Sequence, residues 1–432
     1  MKKIIILLFV FSILMFSCGK KQTSNDNVTE VTFWHAMGGP LGVALNKLID
    51  EFNSTHSDIR IKGIGMGNYQ ALSQKLMASI QTGNQPDIAQ VFEAWTANMM
   101  KGDVILPLDS LMAADPDFTD EDLKDFFQVF IKSNTIHGKM MSLPFNKSVS
   151  VLYYNKDMFF KNKLDPNKPP KTWQEFRDVC KKLTKDLDGD GKIDQWGFTM
   201  NISAWQFENL LVEAGGEIMD STYTKPMFNS KAGLEALNFI TTLLNKDKTA
   251  YLSTGYEGQN DFLAGKVAMY QSSSVSMAFM KRTGIDFNIG VAAIPAYRTK
   301  KNIISGTNVA IFKSKNPKVE RAAWEFIKWF TDTKQTAEWS DMTYYMPVRK
   351  SAFNEPQIKK RLESNPETAS VYDQLKYATW EPQISEWFQT RKYLEDHVIE
   401  KVIRGVADPK KALDDAAKML EEKLKKSKED KK

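Results

Sequence analysis

Apolar residues along the chain alternate between two periods. Short β-type runs at Val31–Trp34, Ile59–Ile64 and Asp87–Phe92 flank segments of helical spacing, in which Leu41, Leu45, Leu48, Ile49 and Phe52, then Leu72, Leu76, Met77 and Ile80, share one face. A turn-rich loop (35–40) follows the first run, Gly83-Asn84 ends the second helical segment, and Pro86 precedes the third run. Strand–helix alternation of this kind predicts a parallel sheet covered by helices.

In the stretch LPFNKSVSVLYYNKDM (143–158), a Pro-Phe-Asn turn leads into a β-rich run, Ser148–Tyr154, that breaks at Asn155-Lys156-Asp157 and separates this block from a second one. Thr172-Trp-Gln-Glu175 has the form of a capping box at the start of a helix carrying Phe176, Cys180 and Leu183. The pattern then predicts a helix at Ala232–Leu244, a strand at Val267–Gln271 running into Ser272-Ser273-Ser274, and strands at Phe287–Ile294 and Ile303–Phe312. A helix from Pro317 buries Ala322, Ala323, Phe326, Ile327 and Phe330, a turn falls at Tyr344–Pro347, and the C-terminal part is helical. At 432 residues the chain is long for one core, so two α/β lobes are expected, with the 143–158 stretch crossing between them. A cleft between lobes is a standard ligand site.

Composition narrows the class. With 42% hydrophobic and 26% charged residues the chain is an ordinary globular one, and a net charge of +5 with interspersed signs gives no nucleic-acid footprint. The Lys-rich end, 423–432, reads as a solvated helix terminus. At the other end, Lys2-Lys3, the apolar run Ile4–Phe16 and Ser17-Cys18 resemble a bacterial lipoprotein signal, with Met15 where the usual pattern has Leu. This implies a signal peptide at 1–17, lipid on Cys18, a polar tether at 18–27 and an exported, periplasmic or cell-surface protein held to a membrane. An ordinary secretory peptide would also give export. Cys180 is then the sole remaining cysteine, expected in the core.

Catalytic patterns are missing. The four histidines are scattered, with no HExxH pair, and there is no GxSxG elbow. Gly63-Ile-Gly65-Met-Gly67 does not complete a dinucleotide fingerprint, and Gly265-Lys266 lacks the P-loop spacing. No enzyme and no required cofactor is expected. One metal-like stretch stands out: Asp186, Asp188, Asp190 and Asp194 occupy positions 1, 3, 5 and 9 of a calcium loop, with Gly191 at the sharp turn. Gly197 stands where a bidentate Glu belongs, so a polar surface turn is the plainer reading of the same residues and any calcium would be structural.

Several segments together resemble a known family. TFWHAMGG (32–39), GNYQ (67–70), QTGNQPDIAQVFE (81–93), LPFNKSVSVLYYNKDMF (143–159), PPKTWQEF (169–176) and EWSDMTYYMPV (338–348) are similar to the extracellular solute-binding proteins, family 1, of ABC importers, in its glycerol-phosphate branch. The resemblance implies a class II periplasmic-binding-protein fold, with 28–142 and 296–345 in lobe 1 and 143–295 and 346–424 in lobe 2. It implies a monomer that closes by hinge motion on sn-glycerol 3-phosphate or a glycerophosphodiester and delivers it to ABC permease subunits. In that branch the positions matching Tyr69, Glu93, Ser148, Ser273, Gly306, Tyr345 and Arg391 form the ligand site, Arg391 as a planar cationic fork for phosphate and Glu93 as acceptor for vicinal hydroxyls. Arg391 aligns with a one-residue shift, beside Lys392, and of two tryptophans in the branch pattern only Trp205 is kept. The alternative is a receptor for a neutral sugar or oligosaccharide, with Trp205 stacking on it.

Overall fold

The computed structural model describes residues 28–429, so the expected signal peptide, Cys18 and the tether lie outside the described residues. Ten strands build two five-stranded sheets: β1 (Thr29–His35), β2 (Ile59–Gly65), β3 (Ile88–Val91), β4 (Leu143–Ser148), β5 (Ser150–Asn155), β6 (Trp196–Met200), β7 (Ala250–Leu252), β8 (Val267–Ser273), β9 (Ile289–Ala293) and β10 (Ser305–Ile311).

The first sheet has the order β2-β1-β3-β10-β4. Its first three strands are parallel, Val31 facing Ile61 and Phe33 facing Ile88, while β10 runs antiparallel to both β3 and β4. The helix Gly39–Thr55 seats Leu41, Leu45, Leu48, Ile49 and Phe52 on it, and Pro317–Phe330 seats Ala322, Ala323, Trp324, Phe326, Ile327 and Phe330. The second sheet has the order β9-β5-β8-β6-β7, with β5 antiparallel to both neighbours and β8, β6 and β7 parallel. A separate core of Phe176, Cys180, Leu183, Phe198, Phe207, Leu211 and Leu237 covers it, joined by Leu413, Leu420 and Leu424 of the C-terminal helix Pro409–Glu429. Cys180 is fully buried, which holds its thiol well above the ordinary value.

The crossings differ from expectation in three places. One crossing strand, Ser148–Tyr154, is expected after a turn at Pro144–Asn146, but the turn residues are themselves in a strand and the stretch forms two: β4 pairs with β10 in the first sheet and β5 with β8 in the second, so Val149 alone is the passage. No turn residue marks it, because the backbone stays extended and all of 143–155 is buried. Residues 296–303, expected in lobe 1, stay with the second: Ala296 bonds Lys171, and the Ile303 amide donates to Asn209 Oδ1 at 3.0 Å. Residues 346–364, expected in lobe 2, make their contacts with the first. Arg349 Nη1 reaches Asp122 at 2.9 Å, and the helix Pro356–Ser364 buries Ile358 against Ala337 and Ala352. The third passage falls after Ser364, because the helix Thr368–Asp373 already bonds the second sheet through Ser370 Oγ and the Ala293 amide.

Local chemistry departs from expectation once more. Thr172 Oγ1 accepts the Glu175 amide as a cap should, but Glu175 takes the amide of Lys171 instead of closing the box on Thr172. The lobes touch across the cleft mouth. Lys101 Nζ donates to Ser385 and Ser427 at 2.7 and 3.2 Å, Gln383 Nε2 donates to the carbonyls of Ser133 and Thr135, and Trp95 meets Phe388 edge to face. This is a closed cleft. Among the described residues no helix is long and apolar enough to cross a membrane.

Candidate functional site

The cleft floor is where β3, β4 and β10 run side by side. Asn146, buried on β4, is its hub. Its Nδ2 donates 2.8 Å hydrogen bonds to the hydroxyls of both Tyr69 and Tyr345, while its Oδ1 accepts from Gln90 Nε2, the Thr307 amide and the Thr307 hydroxyl. Gln90 in turn accepts the Ala36 amide. Every polar group in this chain has a partner, which fixes the two rings. Because Asn146 donates to each phenol oxygen, each tyrosine keeps its own proton to give. Burial, opposed by the Asn146 bond, raises both phenols above their ordinary value, so they act as neutral donors.

Beside this pair lies a buried ion pair. Glu93 opens the helix Glu93–Lys101, where the amide ends favour an acid, and its Oε1 accepts from Lys147 Nζ at 2.8 Å and Asn308 Nδ2 at 3.1 Å. Lys147 has a side chain only 1% exposed. Gly306 faces Lys147 in the β10–β4 register with φ +96°, and a Cβ there would stand 1.8 Å from the Asn146 carbonyl oxygen. Only glycine lets the two strands approach this closely.

The second lobe supplies Arg391, on the helix Trp387–Tyr393. Its Nη1 lies 3.2 Å from Glu381 and its Nε 3.3 Å from Glu208. Burial works against the guanidinium charge, and Glu381, Glu208 and Glu395 more than offset it, so Arg391 stays cationic. Burial and the neighbouring Glu381 push the Glu208 carboxyl well above the carboxylate range, with Arg391 opposing. Burial also raises Glu381. Phe92, Glu93, Ala94, Glu381, Trp387, Phe388 and Arg391 line a small cavity of about 40 Å³ between the lobes. Lys392 is exposed and pairs with Asp396, while Arg391 lines the cavity.

The remaining expected residues are placed as follows. Ser148 ends β4 beside Ser305, and Ser273 ends β8 opposite Ser150, its Oγ accepting the Val275 amide. Trp205 gives its indole N–H to the Ile303 carbonyl at 2.8 Å, one turn before Glu208 on the helix Ala204–Glu213. Asn146, Lys147, Glu208 and Glu381 were not anticipated. The first two sit inside the PFNKS segment and Glu208 inside QFEN, so a polar residue in a buried strand or helix start was the available signal.

In the Asp-Gly turn, the carboxylates of Asp186, Asp188 and Asp194 converge on one point, all exposed. Asp190 does not join them. It turns back to accept the Lys192 amide and pair with the Lys192 ammonium, which corrects its assignment as a ligand.

A family model described as bacterial extracellular solute-binding protein matches residues 47–367. The sn-glycerol-3-phosphate-binding periplasmic protein of Pectobacterium atrosepticum is 31% identical over 407 residues, covering 90% of this chain and 89% of that one. Its counterpart in Escherichia coli K12 is 30% identical over 403 residues, covering 90% and 91%. Among solved structures, the cyclic α-maltosyl-1,6-maltose binding protein of Arthrobacter globiformis superposes with a TM-score of 0.79 at 25% identity, covering 92% of this chain and 100% of that one. The Mycobacterium tuberculosis protein UgpB, in complex with glycerophosphocholine, gives 0.79 at 22%, covering 92% and 99%. The second is a likeness of fold alone.

Proposed function

Because the chain belongs to the bacterial extracellular solute-binding proteins and has their two-lobed class II periplasmic-binding-protein fold, we propose that its cleft captures sn-glycerol 3-phosphate or a glycerophosphodiester. The family is exported, takes up a small molecule and hands it to an ABC permease, and no bond is made or broken. The carrying observation is that Glu93, held by Lys147 next along β4 to the Asn146 that fixes Tyr69 and Tyr345, lines one interlobe cavity with Arg391 of the other lobe. In this reading Arg391 and the two phenol protons hold phosphate oxygens. Glu93 accepts from the glycerol hydroxyls, Gly306 offers its amide, and Ser148 and Ser273 close the two strand ends around the ligand.

The lobes close as rigid bodies about Val149, the 303–305 segment and the 364–368 segment, which bury the solute between them. The proposal extends to a lipid anchor on Cys18, a monomer, and a permease that reads the closed surface. It also gives the turn at Asp186, Asp188 and Asp194 a structural calcium ion, which would neutralise three converging carboxylates. Trp95 and Trp387 flank the cleft, so a tryptophan-fluorescence titration tests the ligand. A saturable change with sn-glycerol 3-phosphate or glycerophosphocholine, and none with maltose, is expected. A response to maltose alone would overturn the assignment.

A further inference from the structure

Tyr344 holds a backbone conformation that a bulky side chain rarely takes. It ends the helix Thr333–Thr343 at φ +62° and ψ 12°, the left-handed position where helices usually place glycine, and its amide bonds the Ser340 carbonyl at 2.8 Å. A tyrosine kept there at a steric cost is held by its surroundings. Two cations do so, one on the ring from each lobe. The Arg361 guanidinium lies 4.3 Å from the ring centroid and the Lys281 ammonium 5.0 Å from it. Arg361 is itself fixed to the same helix end, donating to the carbonyls of Ser340 and Asp341 at 3.1 and 2.7 Å and to the Asp341 carboxylate at 2.9 Å. Lys281 comes from the second lobe, just past the helix Ser276–Met280 that follows β8, and is exposed.

The next residue is Tyr345, and the left-handed turn sends the two side chains to opposite sides of the segment. The Tyr345 ring stacks on Trp339 and puts its hydroxyl on Asn146, while Tyr344 and Met346 face a separate cavity of about 670 Å³. Arg361 completes that wall, Lys281, Phe287 and Ile289 form the opposite one, and the 364–368 passage runs along it. Tyr69, Glu93, Tyr345 and Arg391 are absent from its walls, so the cavity lies behind the hinge, where opening the cleft shifts one wall against the other. The Arg361 contact stays inside the first lobe, whereas the Lys281 contact spans the lobes. From this geometry we infer that Tyr344 is a positioning residue for Tyr345: when the cleft shuts, Lys281 clamps its ring against Arg361 from behind the hinge, which fixes Tyr345 toward the ligand and slows release. The inference rests on the proposed capture of a solute by closure and adds a determinant of its lifetime outside the cleft.

Stopped-flow release of sn-glycerol 3-phosphate or glycerophosphocholine from the whole exported chain, followed by tryptophan fluorescence, tests it in four variants. Tyr344→Phe keeps a ring for both cations and releases at the wild-type rate. Lys281→Ala, an exposed change outside the cleft, releases about two- to fivefold faster, the size of an exposed cation–π contact, with the melting temperature of the ligand-free protein unchanged. Tyr344→Leu also releases faster, and adding Lys281→Ala to it speeds release no further. A long-range effect of the lost lysine charge on an anionic solute would instead persist in the Tyr344→Leu background. Wild-type release from Lys281→Ala, or its full effect in the Tyr344→Leu background, overturns the inference and leaves the proposed function standing. No response of the wild-type protein to either ligand overturns both.

Discussion

Arg391 Nε and a carboxylate oxygen of Glu208 stand 3.3 Å apart, and neither atom has a hydrogen bond. Such a pair is held by its surroundings rather than by its own geometry, and Glu208 is driven toward its neutral form by burial. Glu213, at the end of the same helix, shares that fate. It is buried with one bond from Trp173 Nε1, and its carboxyl is also raised well above the ordinary range.

The pH dependence follows from the sign of these shifts. A carboxyl raised in the folded state binds a proton that the unfolded chain, with a pKa of about 4.3, has already lost. Its contribution is therefore full below that value and declines as pH rises toward the folded pKa. Thermal melts should show Glu213→Gln gaining stability relative to wild type at pH 8 and not at pH 4.5. An equal change at both values would show that Glu213 is ionised in the fold.

Removing one partner of the Glu93–Lys147 pair leaves the other buried without compensation. Lys147→Met should cost about 3–5 kcal/mol in urea unfolding. The double variant Lys147→Met with Glu93→Gln should recover most of it, because no charge is then left unpaired. A double variant as unstable as the single one would place the cost in packing.

Gly306→Ala places a methyl against the Asn146 carbonyl at a positive φ. A loss of about 1–3 kcal/mol or more is expected, together with weakened ligand binding, because Asn146 positions Tyr69 and Tyr345. Unchanged binding would separate the strand approach from the tyrosine pair.

For the turn at 186–194, calcium titrated into chelated protein should release heat with a stoichiometry of one, and Asp188→Asn should abolish it. Silence in the wild-type protein would leave a turn held by its own amides, such as those Asp186 accepts from Gly189 and Gly191.

Much of this was legible in the sequence, for physical reasons. Leu41, Leu45 and Phe52 in the first lobe, and Phe176, Cys180 and Leu183 in the second, bury one helical face each, and that periodicity carries both lobes. The crossings were less legible. Val149 joins two buried strands with no turn residue, and the third passage is delayed by Arg349 reaching Asp122, a long-range pair that no local pattern records. At the site, Tyr69, Glu93, Tyr345 and Arg391 came from motif likeness. Asn146, Lys147 and Glu208 act through partners far away in sequence, which only folding brings together, while Glu381 meets Arg391 across a short loop and helix start that carry no motif.

The central claim is that the cleft binds a glycerophosphate ligand through Arg391. Calorimetric titration of wild type and Arg391→Ala with glycerophosphoglycerol, sn-glycerol 3-phosphate and maltose tests it most directly. The account predicts heat with at least one phosphate ligand, its loss in Arg391→Ala, and none with maltose. Heat with maltose that survives Arg391→Ala would contradict it.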